Sequence, residues 1–330
     1  PQPADRQMNQ YTATPLGVRE YDQNGNPTIT HWSGCMWPVA YLEYDFANQM
    51  VNFSPPGECF FWCRYRYDTA GRLFRTEAED PMSWNHEIID YHYAGSQLVE
   101  TQCVNGACGS LTSWVYGNGT DEVLTRRSGT DELYYHTDDL ASVIAVTDVT
   151  GAVVERYGYG DFGEPQIFDG SYNPLSASAI DNVPVFAGRP HDKYSEYYNN
   201  RSRWYDSGIG RFLTRDTIGI WGDPLNMGNG YAYVGNNPAT FVDPWGLQSD
   251  PFLGIRADPV SGSGSYFAPE NRMKDDTKRG GSGGVRAVAE LGMIIYGGRI
   301  LKVAGEAAED VGFLSKLKFW NWFRRTPKQS

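Results

Sequence analysis

Between residues 18 and 186, apolar and aromatic positions come in short bursts that alternate with polar ones, and each burst is stopped by Gly, Asn or Asp. A period of two, interrupted this often, predicts half-buried strands joined by tight turns. The stretch YRYDTAGRLFR at 65–75 holds one complete unit: an aromatic strand ending in Tyr67-Asp68, a turn containing Gly71, and a second strand that resumes at Leu73 and Phe74. Asp favours such a turn by bonding its own backbone locally, and Gly supplies the positive φ.

The unit recurs. Tyr21-Asp22, Tyr44-Asp45 and Tyr67-Asp68 are spaced by 23 residues, and looser copies follow around Tyr93, Tyr116, Tyr135 and Tyr157 and at Tyr205-Asp206. A single hairpin is marginal in water, so neighbouring units are expected to pair edge to edge and share one buried face. The expected fold is all-β, a repeated β-hairpin sheet. Its aromatic content of 14%, with 22 Tyr and 10 Trp, suits an exported β protein better than a cytosolic α/β enzyme.

Charge divides the chain in two. Up to Leu247 there are 31 acidic and 15 basic residues, net −16; from Gln248 onward there are 9 acidic and 13 basic, net +4. All five His and all five Cys lie in the acidic part. Cys103 and Cys108 flank an Asn-Gly turn able to bring them together as a disulfide, with small apolar thiols in a reduced chain as the alternative. The spacings of the cysteines are not those of a zinc site. The start, PQPADRQMNQ, has neither a basic n-region nor an apolar h-region, and no window in the chain is long and apolar enough for a spanning helix. Repeats that begin this early suggest the C-terminal part of a longer chain or a short paralogue, with upstream repeats or a partner subunit completing it.

The segment 187–247 is dense in turns, with RWYDSGIGRFLTRD followed by GYAYVGNNPATFVDPWGL. Together with the repeats it resembles the core that ends Rhs and YD-repeat proteins, a family that includes bacterial polymorphic toxins, the C subunits of insecticidal toxin complexes and, more distantly, teneurins. The resemblance covers about residues 18 to 247. It implies a β-sheet spiral, here a partial shell, with the core segment curled inward as a plug.

The resemblance also implies self-cleavage by a pair of aspartates after a DPxGL motif, freeing a variable C-terminal segment. The matching residues are Asp216 and Asp243, and the scissile bond is Leu247-Gln248. Two close carboxylates share a proton, so one activates water while the other protonates the leaving nitrogen. Arg215 would bias that proton or hold the carbonyl under attack. The chain departs from the family pattern in reading DTIG where Pro is usual, and in separating the two Asp by 27 residues, with Trp221 to Gly230 as a probable insertion. Asp223, in that insertion, is an alternative partner. His191-Asp192, Ser195 and His136-Asp138 read as turn residues, since there is no nucleophile elbow. Asp22, Asn24 and Asn26 imitate a calcium loop that lacks its Gly and distal Glu. No metal or cofactor is expected.

Residues 248–284 are rich in Gly and Ser and read as a flexible linker. In 285–330, apolar residues at helical spacing predict two short α-helices broken at Gly297-Gly298. This tail has no His and no Cys, which excludes His-dependent nucleases and thiol proteases. Its end interleaves Lys318, Arg324 and Arg325 with Trp320 and Trp322, a pattern that suits an anionic membrane surface or a partner. With Lys316 and Lys328 the segment carries five charges, too small a footprint for nucleic acid to be the expected partner.

The expected domains are a flank at 1–17, YD repeats at 18–186, the Rhs-type core at 187–247, a linker at 248–284 and a variable helical region at 285–330. The expected function is a secreted or cell-surface β-shell that carries its own C-terminal tail as cargo, with an aspartic-type autoprotease as its only enzyme activity. The alternative is an uncleaved adhesion or carbohydrate-binding repeat protein that recognises glycans.

Overall fold

A computed structural model describes residues 9–14, 17–31, 39–55, 61–80, 85–105, 111–251, 293–296 and 299–302. The chain divides into two units, 1–264 and 265–330. The first is built on one antiparallel sheet of 15 strands that starts at Glu20–Tyr21 and ends at Pro174–Leu175. Every strand in it is hydrogen-bonded only to its neighbours in sequence, so the sheet is a pure meander.

The Tyr-Asp pair now has a physical explanation. Asp68 Oδ1 accepts the backbone N–H of Ala70 at 2.9 Å and of Arg72 at 3.0 Å, which fixes the turn. Asp22, Asp45, Asp138, Asp148 and Asp169 repeat the same two bonds. The tyrosine reaches backwards: Tyr67 Oη donates to the Met50 carbonyl at 2.7 Å, Tyr93 Oη to Leu73 at 2.9 Å and Tyr159 Oη to Val143 at 2.6 Å. Each bond satisfies a carbonyl of an earlier strand. The register also slips at this point of the unit, between Glu20 and Tyr21, Glu43 and Tyr44, Arg66 and Tyr67, Val115 and Tyr116, and His136 and Thr137. A bulge repeated at one place per unit adds twist at that place every time, which is how a long sheet coils instead of lying flat.

Alternation gives the sheet a dry and a wet face. In Trp62–Tyr67, Cys63 and Tyr65 are buried while Arg64 and Arg66 are exposed. The dry face is covered by the segment after Asn182. Ala40, Leu42, Met50, Phe53, Tyr65 and Leu73 pack with Tyr197, Trp204 and Leu213. Farther along, Trp114, Val123, Tyr135, Val143 and Val146 pack with Phe186, Tyr198, Tyr205, Phe212, Tyr233 and Val242. Burial of each such side chain stabilises by roughly 1.5–3 kcal/mol.

The covering segment forms a small sheet of Tyr198–Asn200, Arg203–Asp206 and Arg211–Phe212, then a pair of Phe241–Val242 with Asp250–Pro251. Buried ion pairs tie it to the repeats. Arg189 and Arg201 both bind Asp121, at 2.9 and 2.7 Å, and Arg19 binds Asp206 at 3.1 Å. Burial raises the Asp121 carboxyl, but the two guanidiniums outweigh it and hold the group below the usual carboxylate range.

Two expectations change. Strand Asp250–Pro251 belongs to the covering segment, so the chain stays anchored past Leu247 and the linker cannot begin at residue 248. In the second unit, Met293–Tyr296 and Arg299–Lys302 pair as an antiparallel hairpin where two helices were expected. The rest of the tail, with Lys318, Trp320, Trp322, Arg324 and Arg325, lies outside the described residues. Cys103 is disulfide-bonded and Cys63 is a buried free thiol raised by burial, while Cys108 lies outside the described residues.

Candidate cleavage site

The turn after Asn200 reads the chain ahead of Leu247 carbonyl by carbonyl. Asn200 Nδ2 donates to the Asp243 carbonyl at 2.8 Å and Arg201 Nη1 to Pro244 at 2.6 Å. The Ser202 N–H donates to Trp245 at 3.2 Å and Arg203 Nε to Gly246 at 2.5 Å. Four consecutive residues thus serve four consecutive carbonyls, and Arg201 also lies 4.5 Å over the Trp245 ring. Only glycine fits at 246, with φ at +65° and an added Cβ only 2.6 Å from the Asn200 carbonyl oxygen.

The carboxylates gather at the end of this track. Arg203 Nη2 lies 3.0 Å from Asp216 Oδ2 and 3.4 Å from Asp243 Oδ2, with all three side chains almost fully buried. Asp243 Oδ1 accepts the backbone N–H of Leu247 at 3.0 Å and of Gln248 at 3.2 Å. Asp216 Oδ1 accepts from the Ile218 N–H at 3.0 Å, while its Oδ2 has no well-directed hydrogen-bond donor.

Burial dominates the electrostatics. It raises Asp243 to about 6 against the pull of Arg203 and the two backbone N–H groups. Asp216 is also raised by burial, with Arg203 opposing, and burial lowers the Arg203 guanidinium against the pull of Asp243 and Asp216. One guanidinium for two buried carboxylates leaves room for one shared proton.

The structure brings together Asp216, Asp243, Leu247 and Gln248. The Nε of Arg215 donates to Tyr231 Oη at 3.1 Å. The arginine between the aspartates is Arg203, which sequence reasoning passed over inside a strand-like RWYD run. Asp223 contacts the chain on the far side of the bond, through Ser249. His191, Ser195 and His136 form no catalytic array: Ser195 Oγ donates to Asp192 at 2.6 Å, and His136 Nε2 shares a hydrogen bond with Thr147 Oγ1 at 3.1 Å.

A family model described as the teneurin YD-shell matches residues 4–239. The chain belongs to this YD-shell family. It is 30% identical over 243 residues, 72% of its length, to the tRNA nuclease WapA of Bacillus subtilis (strain 168). It is 29% identical over 246 residues, 73% of its length, to the probable deoxyribonuclease RhsA of Dickeya dadantii (strain 3937). It spans only 9% and 16% of those two relatives. Among solved structures the YD-shell chain superposes on the TcdB2-TccC3 complex with a TM-score of 0.54 at 19% identity, over 69% of this chain and 11% of that one. That likeness concerns the fold. The YD-shell reading of the repeats and the Rhs-type resemblance of the covering segment thus converge on one family, and among the described residues no helix is long and apolar enough to cross a membrane.

Proposed function

We propose that this YD-shell chain carries the segment beyond Leu247 as cargo and detaches it by hydrolysing its own Leu247-Gln248 bond. The observation that carries the reading is the pair of bonds from Leu247 N–H and Gln248 N–H to Asp243, whose carboxylate shares Arg203 with Asp216.

In this reading water adds to the Leu247 carbonyl carbon and gives its proton to Asp216, whose carboxylate pairs with Arg203. The carbon becomes tetrahedral and the Gln248 nitrogen becomes basic. Asp243, protonated because it is buried, donates to that nitrogen and the C–N bond breaks. Leu247 leaves with a carboxyl group and Gln248 with an amine, and the proton on Asp216 restores the shared one. The hairpin turn at 200–203 contributes by holding the carbonyls before the bond in place, which spends no entropy at the moment of reaction.

The freed segment is the proposed effector. The two relatives named above are nucleases, but the family model ends at residue 239, and a tail without His or Cys points away from their activities. A target membrane or partner subunit reached by its basic, Trp-rich end, and a secreted or cell-surface location, complete the proposal. No observation favours the adhesion alternative.

The test is an intact-mass spectrum of the freshly purified chain beside Asp216→Asn and Asp243→Asn. Fragments 1–247 and 248–330 from the parent, and intact variants, are expected. An intact parent overturns the reading.

A further inference from the structure

Proteolytic sites hold their chain on both sides of the bond. Here the side before it is held by residues 200–203, and the side after it is held by a different element. Asp223 is 3% exposed, and its Oδ2 accepts both the backbone N–H of Ser249 at 2.9 Å and the Ser249 hydroxyl at 2.5 Å. The same carboxylate is itself fixed: Oδ1 accepts from the Leu225 N–H at 3.0 Å and Oδ2 from Asn226 Nδ2 at 2.9 Å. Asn226 Oδ1 in turn accepts the Gly235 N–H at 2.8 Å. One residue later the chain enters the pairing of Val242 with Asp250.

We infer that Asp223 is a positioning residue that clamps the second residue after the scissile bond and selects for a hydroxyl there. This inference rests on the self-cleavage reading. Chemically, Asp223 makes no contact with Gln248 and is not bridged by Arg203, so it moves no proton; it sets where the bond lies relative to Asp216 and Asp243. A hydroxyl is required because Oδ2 is buried away from water. Replacing the Ser249 hydroxymethyl group with a methyl leaves that oxygen short of a strong donor. The bond after Leu247 then sits less often in line with the aspartates.

The experiment follows the cleavage rate of the full chain after refolding, for the parent, Ser249→Ala, Ser249→Thr, Asp223→Asn and the Ser249→Ala/Asp223→Asn pair, each across pH 5 to 8. Ser249→Ala is expected to slow cleavage by roughly tenfold or more, and Ser249→Thr to return it to within about threefold of the parent. The double variant is expected to fall short of the product of the two single losses. In the two single Ser249 variants the pH midpoint is expected to stay where it is in the parent, since no charged group is changed, whereas Asp223→Asn also removes a carboxylate that raises Asp216 and Arg203 and is read for its rate alone. Ser249 is half-buried and Ser249→Ala removes a single oxygen, and a melting curve of each variant shows that the fold is kept. A parent that cleaves while Ser249→Ala cleaves equally fast overturns this inference and leaves self-cleavage standing. A shifted midpoint in Ser249→Ala also overturns it, because a positioning residue does not move the titration. A parent that stays intact overturns both.

Discussion

Asp243 Oδ1 lies 3.2 Å from the backbone nitrogen of Gln248, the atom that must gain a proton if the chain is cut after Leu247. In the proposed mechanism the acid and the leaving group are therefore in contact before the cut, five positions apart in sequence. The tight DPWG turn makes this possible, because it folds the carboxylate back over its own downstream backbone.

Asp243 should make both cleavage and stability depend on pH. Burial raises it to about 6 in the folded chain, above an unfolded value near 3.9. The stabilisation from its protonated form is therefore complete below about 4, is lost as pH rises to about 6, and is level above that; the loss is on the order of 2–3 kcal/mol. Asp243→Asn should melt with a correspondingly flatter pH dependence over that window. Cleavage should speed up as pH falls toward 6, when the donor gains its proton, and refolding at a series of pH values followed on a gel checks this.

Arg203 should be indispensable. Arg203→Met leaves Asp216 and Asp243 buried without a counter-charge, and a loss of about 3–5 kcal/mol is expected in denaturant titration. Arg203→Lys keeps the charge, but an ammonium cannot serve the Gly246 and Gly230 carbonyls and both carboxylates together. Its cleavage should fall by roughly 100-fold or more with a smaller loss of stability.

Gly246→Ala should stop cleavage at modest cost to the fold. The substitution demands a positive φ and a Cβ against the Asn200 carbonyl, so roughly 1–3 kcal/mol of strain is expected, relieved by moving the chain off its track. An intact mass in a cooperatively melting variant is the expected readout.

Tyr67 Oη accepts from Trp204 Nε1 at 2.8 Å while donating to Met50, so it joins the repeats to the covering segment. Tyr67→Phe orphans both partners and should cost about 1–3 kcal/mol in urea unfolding.

The cut tail should stay with the shell at low salt. A net charge of −16 before the bond and +4 after it favours retention of the basic fragment. Size exclusion at low ionic strength is expected to keep the fragments together, and high salt to separate them.

The repeats were legible because their turn chemistry is local. Asp68 bonds residues two and four further on, so the motif and its cause lie in the same short window. Asp216 and Asp243 were legible only through resemblance, since an aspartate that closes a turn and one that cuts a chain look alike in sequence. Arg215 was singled out through the same resemblance, and its Nε donates to Tyr231 Oη. Arg203 acts across 13 and 40 residues, and nothing local signals a contact of that range. The register between residues 200–203 and 243–246 is visible only once the chain is folded.

The strictly sequential pairing of the long sheet also sets a direction for assembly. Each strand finds its partner in the residues just before it, so a chain delivered from its N-terminal end through a narrow channel can add one strand at a time without waiting for distant segments. The residues that complete the aspartate site come after all 15 strands. Arg201, which grips Pro244, needs Asp121 already in place, and Trp204 needs Tyr67. In the proposed self-cleavage the cut is thereby timed: the aspartate site is completed last, on strands that must already be paired.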